Sequence, residues 1–393
     1  MRDYGHMEQN SNSKIKVMRI IARMNVGGPA VQVSGLMRSL DKNDFDHRLF
    51  TGDCSASEAD YLETTGAEFE YIKVRGLGRK ISFFGDLRAF LRLIRHIRNF
   101  QPDIIHTHTS KAGVIGRLAS IFSGVDSIRI HTFHGHLLYG YFGKAKRYGV
   151  VLIEKIISHK THYLLAVGAK VRDDLLEVKI GRPEKFGVMP PGLQLNFLPE
   201  QQVARKALEI NTSGIVGAFI GRVTQIKRPD RFLDVVEKLS DRNISVAFVV
   251  AGEGDLFSES QNRASESKLP IQFLGWQSNI EQVLAAVDFV ILTSDNEGMP
   301  LSLIQAGMAS RPVVATNVGS VQEVVKDGYT GIITSTSVNE IALAVESLVL
   351  DKGEMFRLGE NARKVTKEEF SLGRLVLDHE NLYRRLLVNR AIF

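Results

Sequence analysis

The chain has 393 residues, of which 44% are hydrophobic and 24% charged, a composition typical of a soluble globular protein long enough for two α/β domains. No apolar run reaches the roughly eighteen residues of a membrane-spanning helix, and the polar start MRDYGHMEQNSNSK is no signal peptide, so residues 1–14 are expected to be a disordered tail. The lone Cys54 excludes an intrachain disulfide and fits a reducing cytoplasm.

Charge is distributed unevenly along the chain. Residues 1–200 carry 29 lysines and arginines against 20 acidic residues, a net charge of +9, together with ten of the eleven histidines. Residues 201–393 carry 21 against 24, a net charge of −3. The basic first part predicts anionic partners, either phosphates or an acidic membrane surface, and no nucleic acid is expected as a partner.

The first predicted strand, residues 16–22, leads into Gly27 and Gly28 before a predicted helix over residues 30–40. The two glycines would let a ligand approach the backbone, and the free N–H groups at a helix start favour an anion. A tight strand-to-helix turn explains this segment equally well. The dinucleotide fingerprint GxGxxG is missing, which disfavours a Rossmann oxidoreductase.

A predicted helix over residues 86–99 carries an apolar face and a basic face. The apolar face, expected to pack on the core, consists of Leu87, Phe90, Leu91, Ile94 and Ile97. The basic face consists of Arg88, Arg92, Arg95 and Arg98. The basic face could rest on acidic lipid headgroups, but a solvated surface is the preferred interpretation because the apolar face is needed for packing.

Histidines follow two predicted strands. The strand at 102–106 runs into HTHTSK, and the strand at 128–132 runs into FHGH. A metal site is discounted because no acidic cluster accompanies these histidines and their spacings differ from zinc motifs. His131 alternates with apolar strand residues and is interpreted as a core histidine. His134 lies just past a strand end, where open α/β sheets bind ligands.

The second half of the chain begins with a predicted strand at 215–220, which is followed by Arg222 and Lys227. A forked guanidinium and a point charge both suit a diphosphate, although ordinary surface charge is the default explanation for this pair alone. The next predicted strand, 246–251, ends at Gly252 in a G-x-G turn, which by itself is weak evidence for a ligand.

The most informative stretch is residues 288–325, DFVILTSDNEGMPLSLIQAGMASRPVVATNVGSVQEVV. A buried strand at 290–292 is followed by a small, acidic loop, after which Pro300 opens a helix and a second strand follows at 312–315. This β-α-β unit gathers polar residues, among them Glu297, at one end of its sheet. A Rossmann-like unit with a chance glutamate is the weaker explanation.

The stretch resembles family 4 of the retaining glycosyltransferases, which have the GT-B fold. The family frame E-G-x-P-x-x-x-x-E-A is matched by Glu297-Gly298-Met299-Pro300 and by Gln305, which stands in place of the second glutamate. PDIIHTHTSKAG and HTFHGH, at 102–113 and 131–136, also look like polysaccharide-assembly members of this family. The resemblance covers nearly the whole chain from about residue 16.

The resemblance implies an α/β protein with two Rossmann-like parallel-sheet domains that face each other across a cleft. The acceptor-side domain would comprise residues 15–195 and a last helix within 372–393 that returns to it. The nucleotide-sugar-binding domain would comprise residues 196–371. One side of the last helix carries four large side chains: Leu375, Leu382, Tyr383 and Leu386.

The resemblance also implies a role for each motif position. His134 and Glu297 would be catalytic and would contact the donor sugar together with Gly298. The donor diphosphate would bind residues of three loops: Gly27, Gly28, Arg222, Lys227, Met299, Pro300 and Leu301. The ribose and base would bind Gln305, Gly252, Leu274 and Trp276. The acceptor side would include His108, Lys111, His136 and Tyr139.

The implied function is transfer of a sugar from a nucleoside diphosphate sugar, in the first place a UDP-sugar, to a saccharide or lipid-linked saccharide in bacterial surface or exopolysaccharide synthesis. Transfer would retain the anomeric configuration and use neither a metal ion nor another cofactor. The protein would be cytoplasmic, with the inner face of the plasma membrane as a candidate surface. Two alternatives stay open: a non-catalytic sugar-nucleotide binder, which Gln305 favours, and a GT-B sugar-nucleotide epimerase.

Overall fold

The computed structural model describes residues 13–55, 58–66, 68–135 and 144–392, so most of the predicted tail at 1–14 lies outside the described residues. Within those ranges no helix is both long enough and apolar enough to cross a bilayer. The described chain forms two β-sheets flanked by helices, which confirms the predicted α/β class.

The first sheet is built from seven strands of the described chain: β1 Ile15–Arg23, β2 Phe45–Gly52, β3 Tyr71–Lys73, β4 Ile104–His108, β5 Ile128–Phe133, β6 Tyr163–Ala166 and β7 Phe186–Val188. Their order in the sheet is β3-β2-β1-β4-β5-β6-β7, and β1 pairs in parallel with both β2 and β4. The helices that alternate with these strands are α1 Gly28–Ser39, α2 Tyr61–Thr65, α3 Phe83–Phe100, α4 Ser110–Ser123, α5 Lys144–His159 and α6 Ala169–Glu177.

The second sheet has six strands within the described part of the chain: β8 Val216–Ile220, β9 Ala247–Ala251, β10 Ile271–Gly275, β11 Phe289–Leu292, β12 Val313–Thr316 and β13 Gly331–Thr334. Their order is β10-β9-β8-β11-β12-β13, and β8 pairs in parallel with β9 and β11. The remaining helices are α7 Gln201–Ala207, α8 Pro229–Asp241, α9 Phe257–Glu266, α10 Ile280–Ala286, α11 Leu301–Met308, α12 Val321–Val324, α13 Val338–Leu350, α14 Lys352–Glu369 and α15 Leu372–Val388.

Both sheets reverse their strand order once. In the first sheet the chain adds β2 and β3 on one side of β1 and then continues with β4 on the other side. In the second sheet it adds β9 and β10 on one side of β8 and continues with β11 on the other. The connections that follow β8 and β11 lead to opposite sides of the sheet at such a switch point. The carboxyl ends of strands at a switch point are where open α/β sheets bind ligands.

Aromatic packing fixes the core under the second sheet. The rings of Phe219, Phe232, Phe248 and Phe289 form a chain of neighbours with centroids 5.3 to 5.9 Å apart. A Cβ on Gly217 would lie 2.5 Å from the Phe289 ring and 2.7 Å from the Phe248 ring. Glycine is therefore needed at position 217, because any side chain would displace the rings that hold β8 against its neighbours.

The described chain divides into two compact units. One contains residues up to Thr132, Ile153–Leu164 and His379–Phe393, and the other contains Phe133–Leu152 and Leu165–Asp378. The domain boundaries that the sequence suggested, at 195 and 371, stay a prediction. The four large residues on one side of α15 are all buried, as expected: Leu375, Leu382, Tyr383 and Leu386.

The packing face of α3 differs from the prediction. Leu87 and Leu91, expected in the core, are 44% and 56% exposed. Ile97 is buried as predicted, and the predicted Phe90 and Ile94 are partly buried against the same core. The other buried residues are Ala89, Leu93 and Phe100, which the prediction left out. Apolar residues occupy more than half of the circumference of α3, so the sequence could not decide which part faces the sheet. The small Ala89, which the prediction left out, marks the side of closest approach.

A buried arginine ties α15 to the first sheet. Arg19 is fully buried. Its Nε donates to His47 Nε2 at 2.9 Å, its Nη1 lies 2.6 Å from His108 Nε2, and its Nη2 donates to the Tyr383 hydroxyl at 2.7 Å. Burial raises the pKa of Tyr383, and burial together with the charge of Arg19 holds the pKa of His47 well below its usual value. These two partners of the guanidinium are therefore uncharged at neutral pH.

The position of His47 predicts a loss of stability in mild acid. Unfolded chains protonate histidine near pH 6.5, whereas folding keeps His47 neutral well below that pH, so the unfolded state binds the extra proton. Stability should be fully present above about pH 6.5 and should fall as pH decreases, by at most about 1.4 kcal/mol per pH unit for this one group. Urea unfolding between about pH 7 and pH 5 measures this slope.

Two variants separate His47 from other titrating groups. His47→Gln keeps an acceptor for Arg19 but cannot titrate, so its stability should depend less on pH than that of the wild type. His159→Gln changes an exposed histidine and should leave the wild-type slope unchanged. Equal slopes in wild type and His47→Gln would contradict the prediction.

Candidate active site

The carboxyl ends of β8 and β11 bring two charged side chains together. Lys227 ends the short 3-10 turn Gln225–Lys227 after β8, and Glu297 lies in the loop after β11. Lys227 Nζ donates to Glu297 Oε1 at 2.5 Å, and the two side chains are only 19% and 9% exposed. Because β8 and β11 flank the switch point, this ion pair lies where a parallel α/β sheet is expected to meet its ligand.

The Glu297 carboxylate accepts a second hydrogen bond. Ser294 Oγ donates to the same Oε1 atom at 2.5 Å. One oxygen thus receives a charged donor from the turn after β8 and a hydroxyl donor from its own loop. Two donors from different directions fix the orientation of the carboxylate, as a positioned ligand group requires.

Further contacts join the loop after β11 to the turn after β8. Thr293 Oγ1 donates to the Lys227 carbonyl at 3.1 Å. The N–H of Asp295 donates to a carbonyl of the same turn at 2.9 Å, and its carboxylate accepts a bond of 2.7 Å from Arg231 on α8. The spacing between Lys227 and Glu297 is therefore set by backbone and side-chain contacts in addition to their own ion pair.

The loop after β12 supports the backbone of Glu297. The Ser320 N–H donates to the Glu297 carbonyl at 3.1 Å. Gly319 has a φ of 52°, and a Cβ at this position would lie 1.9 Å from the Glu297 carbonyl oxygen. Position 319 thus requires glycine for two reasons: its backbone is left-handed, and the close contact with Glu297 leaves no room for a side chain.

Helix α11 begins immediately after the Glu297 loop. Its N-cap is Pro300, and the preceding Met299 is 9% exposed. The first N–H groups of a helix have no partner within it, so the end of α11 at Leu301 favours a negatively charged group. Gln305 lies in the second turn of α11 and is half-buried.

Glycine turns follow β8 and β9. Gly221 has a φ of 145°, and Lys227 Nζ lies 4.0 Å from the place where its Cβ would be. Gly252 has a φ of 146°, and a Cβ there would lie 2.0 Å from the Gly221 carbonyl oxygen. After these turns, the neighbouring strand β10 carries the half-buried Leu274 and leads to Trp276, which is 41% exposed. Of the predicted ribose and base positions, Gly252 thus follows β9, whereas Leu274 lies on the adjacent β10 and Trp276 follows it.

Residues 134 and 135 approach the Glu297 loop within the second unit. A Cβ on Gly298 would lie 2.8 Å from the His134 carbonyl oxygen and 2.6 Å from Gly135 Cα, so only glycine fits there. The His134 side chain is half-buried. His136 and Tyr139, predicted for the acceptor side, lie outside the described residues.

Two other predicted acceptor-side residues hold the first unit together. His108 is fully buried and bonds to Arg19. Lys111 forms an ion pair of 2.6 Å with Asp86 and donates to the carbonyls of Gly76 and Lys80. His108 is thus enclosed and Lys111 is engaged with its own protein, and their acceptor-side role stays a prediction.

The remaining predicted positions lie at strand ends. Gly27, with a φ of 156°, is the N-cap of α1, and Gly28 is the first residue of that helix after β1. Arg222 is exposed two residues after β8.

His131 is buried and lies 2.9 Å from Thr107 Oγ1, which confirms a core histidine. Among the described residues, no group of three or more metal-binding side chains comes together.

Sequence reasoning missed the residues that position Glu297. Ser294 precedes Glu297 by three residues, and this short spacing was the one available signal. The ion pair of Asp295 with Arg231 joins positions 64 apart in the chain, and Gly319 lies in another loop. These contacts depend on the strand order of the sheet, which the local pattern around Glu297 does not reveal.

The contact between Gly319 and Glu297 predicts a specific loss of stability. Gly319→Ala combines left-handed backbone strain, about 1–2 kcal/mol, with an overlap that must displace the Glu297 loop, about 1–3 kcal/mol more. Gly328→Ala is a matched control, since Gly328 has a φ of 67° and no atom lies within 4 Å of the place where its Cβ would be. Urea unfolding should show the larger loss for Gly319→Ala, and equal losses would contradict the role of the contact.

Two family models match the chain. The model described as Glycosyl transferase 4-like domain matches residues 27–192, and the model described as Glycosyl transferases group 1 matches residues 200–365. The second match contains Lys227, Glu297 and the loops around them.

Curated relatives match over most of the chain. It is 26% identical over 397 residues to the UDP-Gal:alpha-D-GlcNAc-diphosphoundecaprenol alpha-1,3-galactosyltransferase of Escherichia coli, covering 97% of this chain and 100% of that protein. It is 24% identical to the capsular polysaccharide biosynthesis glycosyltransferase CapM of Staphylococcus aureus, covering 95% and 98%.

Solved structures share the fold. Sucrose-phosphate synthase from Thermosynechococcus elongatus superposes with a TM-score of 0.82 at 18% identity, covering 95% of this chain and 100% of the other. HepE from Anabaena, in complex with UDP and glucose, gives a TM-score of 0.80 at 18% identity over 95% and 100%. Together with the two family matches, this shows that the chain belongs to the glycosyltransferases of the GT-B fold, with a 4-like domain followed by a group 1 domain.

Proposed function

We propose that the protein transfers a sugar from a UDP-sugar to a saccharide acceptor with retention of the anomeric configuration. The observation that carries the proposal is the ion pair of Lys227 and Glu297 at the β8–β11 switch point, next to the N-terminus of α11. A cation and a helix N-terminus suit a diphosphate, and a positioned carboxylate suits the hydroxyls and the developing positive charge of a sugar.

Lys227 would bind the leaving diphosphate. Cleavage of the sugar–phosphate bond places negative charge on the diphosphate, and electrostatic stabilisation of that charge is the main catalytic contribution expected. Arg222 follows the same strand, and the N–H groups at Met299 and Leu301 would add hydrogen bonds. When the donor binds, the hydrogen bond from Lys227 to Glu297 would weaken, and Lys227 would donate hydrogen bonds to phosphate oxygens.

Glu297 would hold the sugar. Its carboxylate is oriented by Ser294, and the loop that carries it lies against the backbone of His134. His134 would contact the sugar from the side on which its backbone meets this loop. Asp295, the acid two residues before Glu297, accepts bonds from Arg228 and Arg231, so it is committed to the loop and does not serve as a nucleophile. Retention would then follow from attack of an acceptor hydroxyl on the face that the diphosphate leaves, through an ion pair of sugar cation and diphosphate. The sugar–phosphate bond breaks as the new glycosidic bond forms, and the hydroxyl proton passes to an oxygen of the departing diphosphate.

The cations of the protein would make a divalent metal unnecessary. Lys227 and Arg222 both follow β8 and would neutralise the diphosphate charge that a metal neutralises in other transferases. Activity should therefore persist in excess EDTA. No other cofactor is needed for transfer from an activated sugar.

The acceptor would be a saccharide on a lipid diphosphate in bacterial polysaccharide assembly. The E. coli relative is named for a diphosphoundecaprenol-linked acceptor, and the S. aureus relative for capsular polysaccharide biosynthesis. The net charge of +9 on residues 1–200 suits a lipid diphosphate and an anionic membrane surface. The protein would then work in the cytoplasm at the inner face of the plasma membrane.

A non-catalytic sugar-nucleotide binder is the second candidate. Gln305 favours it, because a glutamine on α11 lacks the charge of the family's second glutamate. A screen of sugar nucleotides with a lipid-linked saccharide, read by mass spectrometry, separates the candidates. A new glycoside supports transfer, and the anomeric proton coupling of that product in NMR tests retention. Binding without turnover supports the binder, whereas an altered free sugar with released nucleotide supports an epimerase.

Glu297→Gln should reduce kcat by about 100- to 1000-fold, because an amide cannot stabilise the sugar cation as a carboxylate does. The KM for the donor should change less. Glu266→Gln on α9, an exposed position outside the site, is the matched control and should retain wild-type kinetics. Unchanged thermal unfolding would show that Glu297→Gln is folded, and near-normal activity in that folded variant would remove Glu297 from the catalytic role.

Gln305→Glu should tighten donor binding. A charged acceptor strengthens a hydrogen bond to a ribose hydroxyl by about 1 kcal/mol, which corresponds to roughly fivefold in Kd. Calorimetric titration with UDP measures the difference, and Gln322→Glu provides the same change on α12 as a control. Weaker binding by Gln305→Glu would show that Gln305 does not face the ribose.

A further inference from the structure

The outer face of α3 exposes an unusual set of large apolar side chains. Phe83 and Phe84 at its start are 77% and 80% exposed, and the preceding Ile81 is 82% exposed. Leu87 and Leu91, one and two turns further on, are 44% and 56% exposed. A continuous apolar stripe along one side of a helix is not an ordinary solvent surface and indicates a binding partner.

Arginines lie among these apolar side chains. Arg88, Arg92 and Arg95 line one shallow depression together with Phe84, Leu87 and Leu91, with a volume of about 430 Å³. The single acidic residue of α3 is Asp86, which is neutralised by its ion pair with Lys111. The face is thus apolar at its centre and positive along one side.

The surface is held in shape by the rest of the first unit. Ala89, Leu93 and Ile97 on the opposite side of α3 are fully buried. A Cβ on Gly76 would lie 2.2 Å from the Gly85 carbonyl oxygen, so the loop before α3 packs directly on its first turn. Lys111 adds hydrogen bonds from α4 to that loop. Little ordering is therefore needed when a partner binds.

Charge decides which partner fits. A second copy of the chain would bring the arginines of two identical faces together, which is unfavourable for an apolar contact. An anionic lipid surface satisfies both parts of the face, because phenylalanine and leucine enter the boundary between headgroups and acyl chains while arginines bind phosphates. The length of α3, 18 residues or roughly 27 Å, allows it to lie in the plane of a bilayer.

We propose that the outer face of α3, with Ile81, Phe83, Phe84, Leu87 and Leu91 as its apolar part and Arg88, Arg92 and Arg95 as its basic part, is the membrane-docking surface of this protein. It binds the anionic face of a bilayer reversibly. Only the biological role of this surface rests on the proposed function: docking would place the candidate active site near a lipid-linked acceptor.

Co-sedimentation of the full chain with vesicles tests the proposal. The wild type should bind vesicles of equimolar phosphatidylglycerol and phosphatidylcholine and should bind pure phosphatidylcholine at least tenfold more weakly. The variant Arg88→Gln/Arg92→Gln/Arg95→Gln should lose roughly fivefold in partitioning for each charge removed at low salt. Phe84→Ser/Leu87→Ser/Leu91→Ser should lose binding at both low and high salt, because the apolar contribution is not screened.

Matched controls remove equal charge or equal apolar surface elsewhere. Lys206→Gln/Lys364→Gln/Lys367→Gln has the same net charge as the arginine variant. Phe356→Ser/Leu350→Ser/Leu377→Ser removes one phenylalanine and two leucines that are 72%, 70% and 56% exposed. Both should bind vesicles like the wild type. If the controls lose binding as much as the α3 variants, or if the α3 variants bind normally, the assignment of the surface is overturned.

Two further measurements distinguish the remaining outcomes. Sedimentation velocity detects self-association: a wild-type dimer that the α3 variants dissolve, without vesicle binding, would assign the face to a second copy and overturn the proposal. Sugar transfer to a water-soluble acceptor should be unchanged in the α3 variants. A wild type that binds anionic vesicles but transfers no sugar would refute the proposed function and leave the docking surface standing.

Discussion

The candidate site depends on one short ion pair, Lys227 with Glu297, which forms where the strand order of the second sheet reverses. Lys227 and Glu297 come from separate β-α units, and they meet because β8 and β11 are neighbours although two other strands lie between them in the chain. Thr293 and Asp295 join the two loops independently, so the pair has a fixed frame. In the proposed function, Lys227 and Glu297 would separate from their 2.5 Å contact so that the lysine binds an anion and the glutamate a sugar, while this frame keeps both side chains in place.

Close backbone contacts make this frame rigid. Gly319 lies against the Glu297 carbonyl and Gly298 against the backbone of His134, and neither place has room for a side chain. In the first unit, the buried guanidinium of Arg19 joins the packed elements, and its partners include the neutral His47 and Tyr383. The glycine contacts position the candidate ligand groups, whereas the Arg19 contacts fix the last helix to the strands it covers.

The strands, helices and motif positions could be predicted from the sequence better than the contacts that surround them. Buried strands, and a helix opening at Pro300, follow from local apolar runs and proline, so β11, α11 and β12 were found nearly at their observed bounds. The core face of α3 was predicted only in part, because apolar residues occupy more than half of its circumference: Ile97 is buried as predicted, whereas Leu87 and Leu91 are exposed. The burial of His108 and the bond between Asp295 and Arg231 depend on strand order and on distant chain segments, which local periodicity does not contain.

The most direct test of the account is a crystal structure of the protein with an unreactive UDP-sugar analogue. The β-phosphate should lie within hydrogen-bond distance of Lys227 Nζ and the N-terminus of α11, and the sugar hydroxyls should lie on Glu297. The distance between Lys227 Nζ and Glu297 Oε1 should be longer than 2.5 Å. A diphosphate bound away from the carboxyl ends of β8 and β11, with the ion pair unchanged, would contradict it.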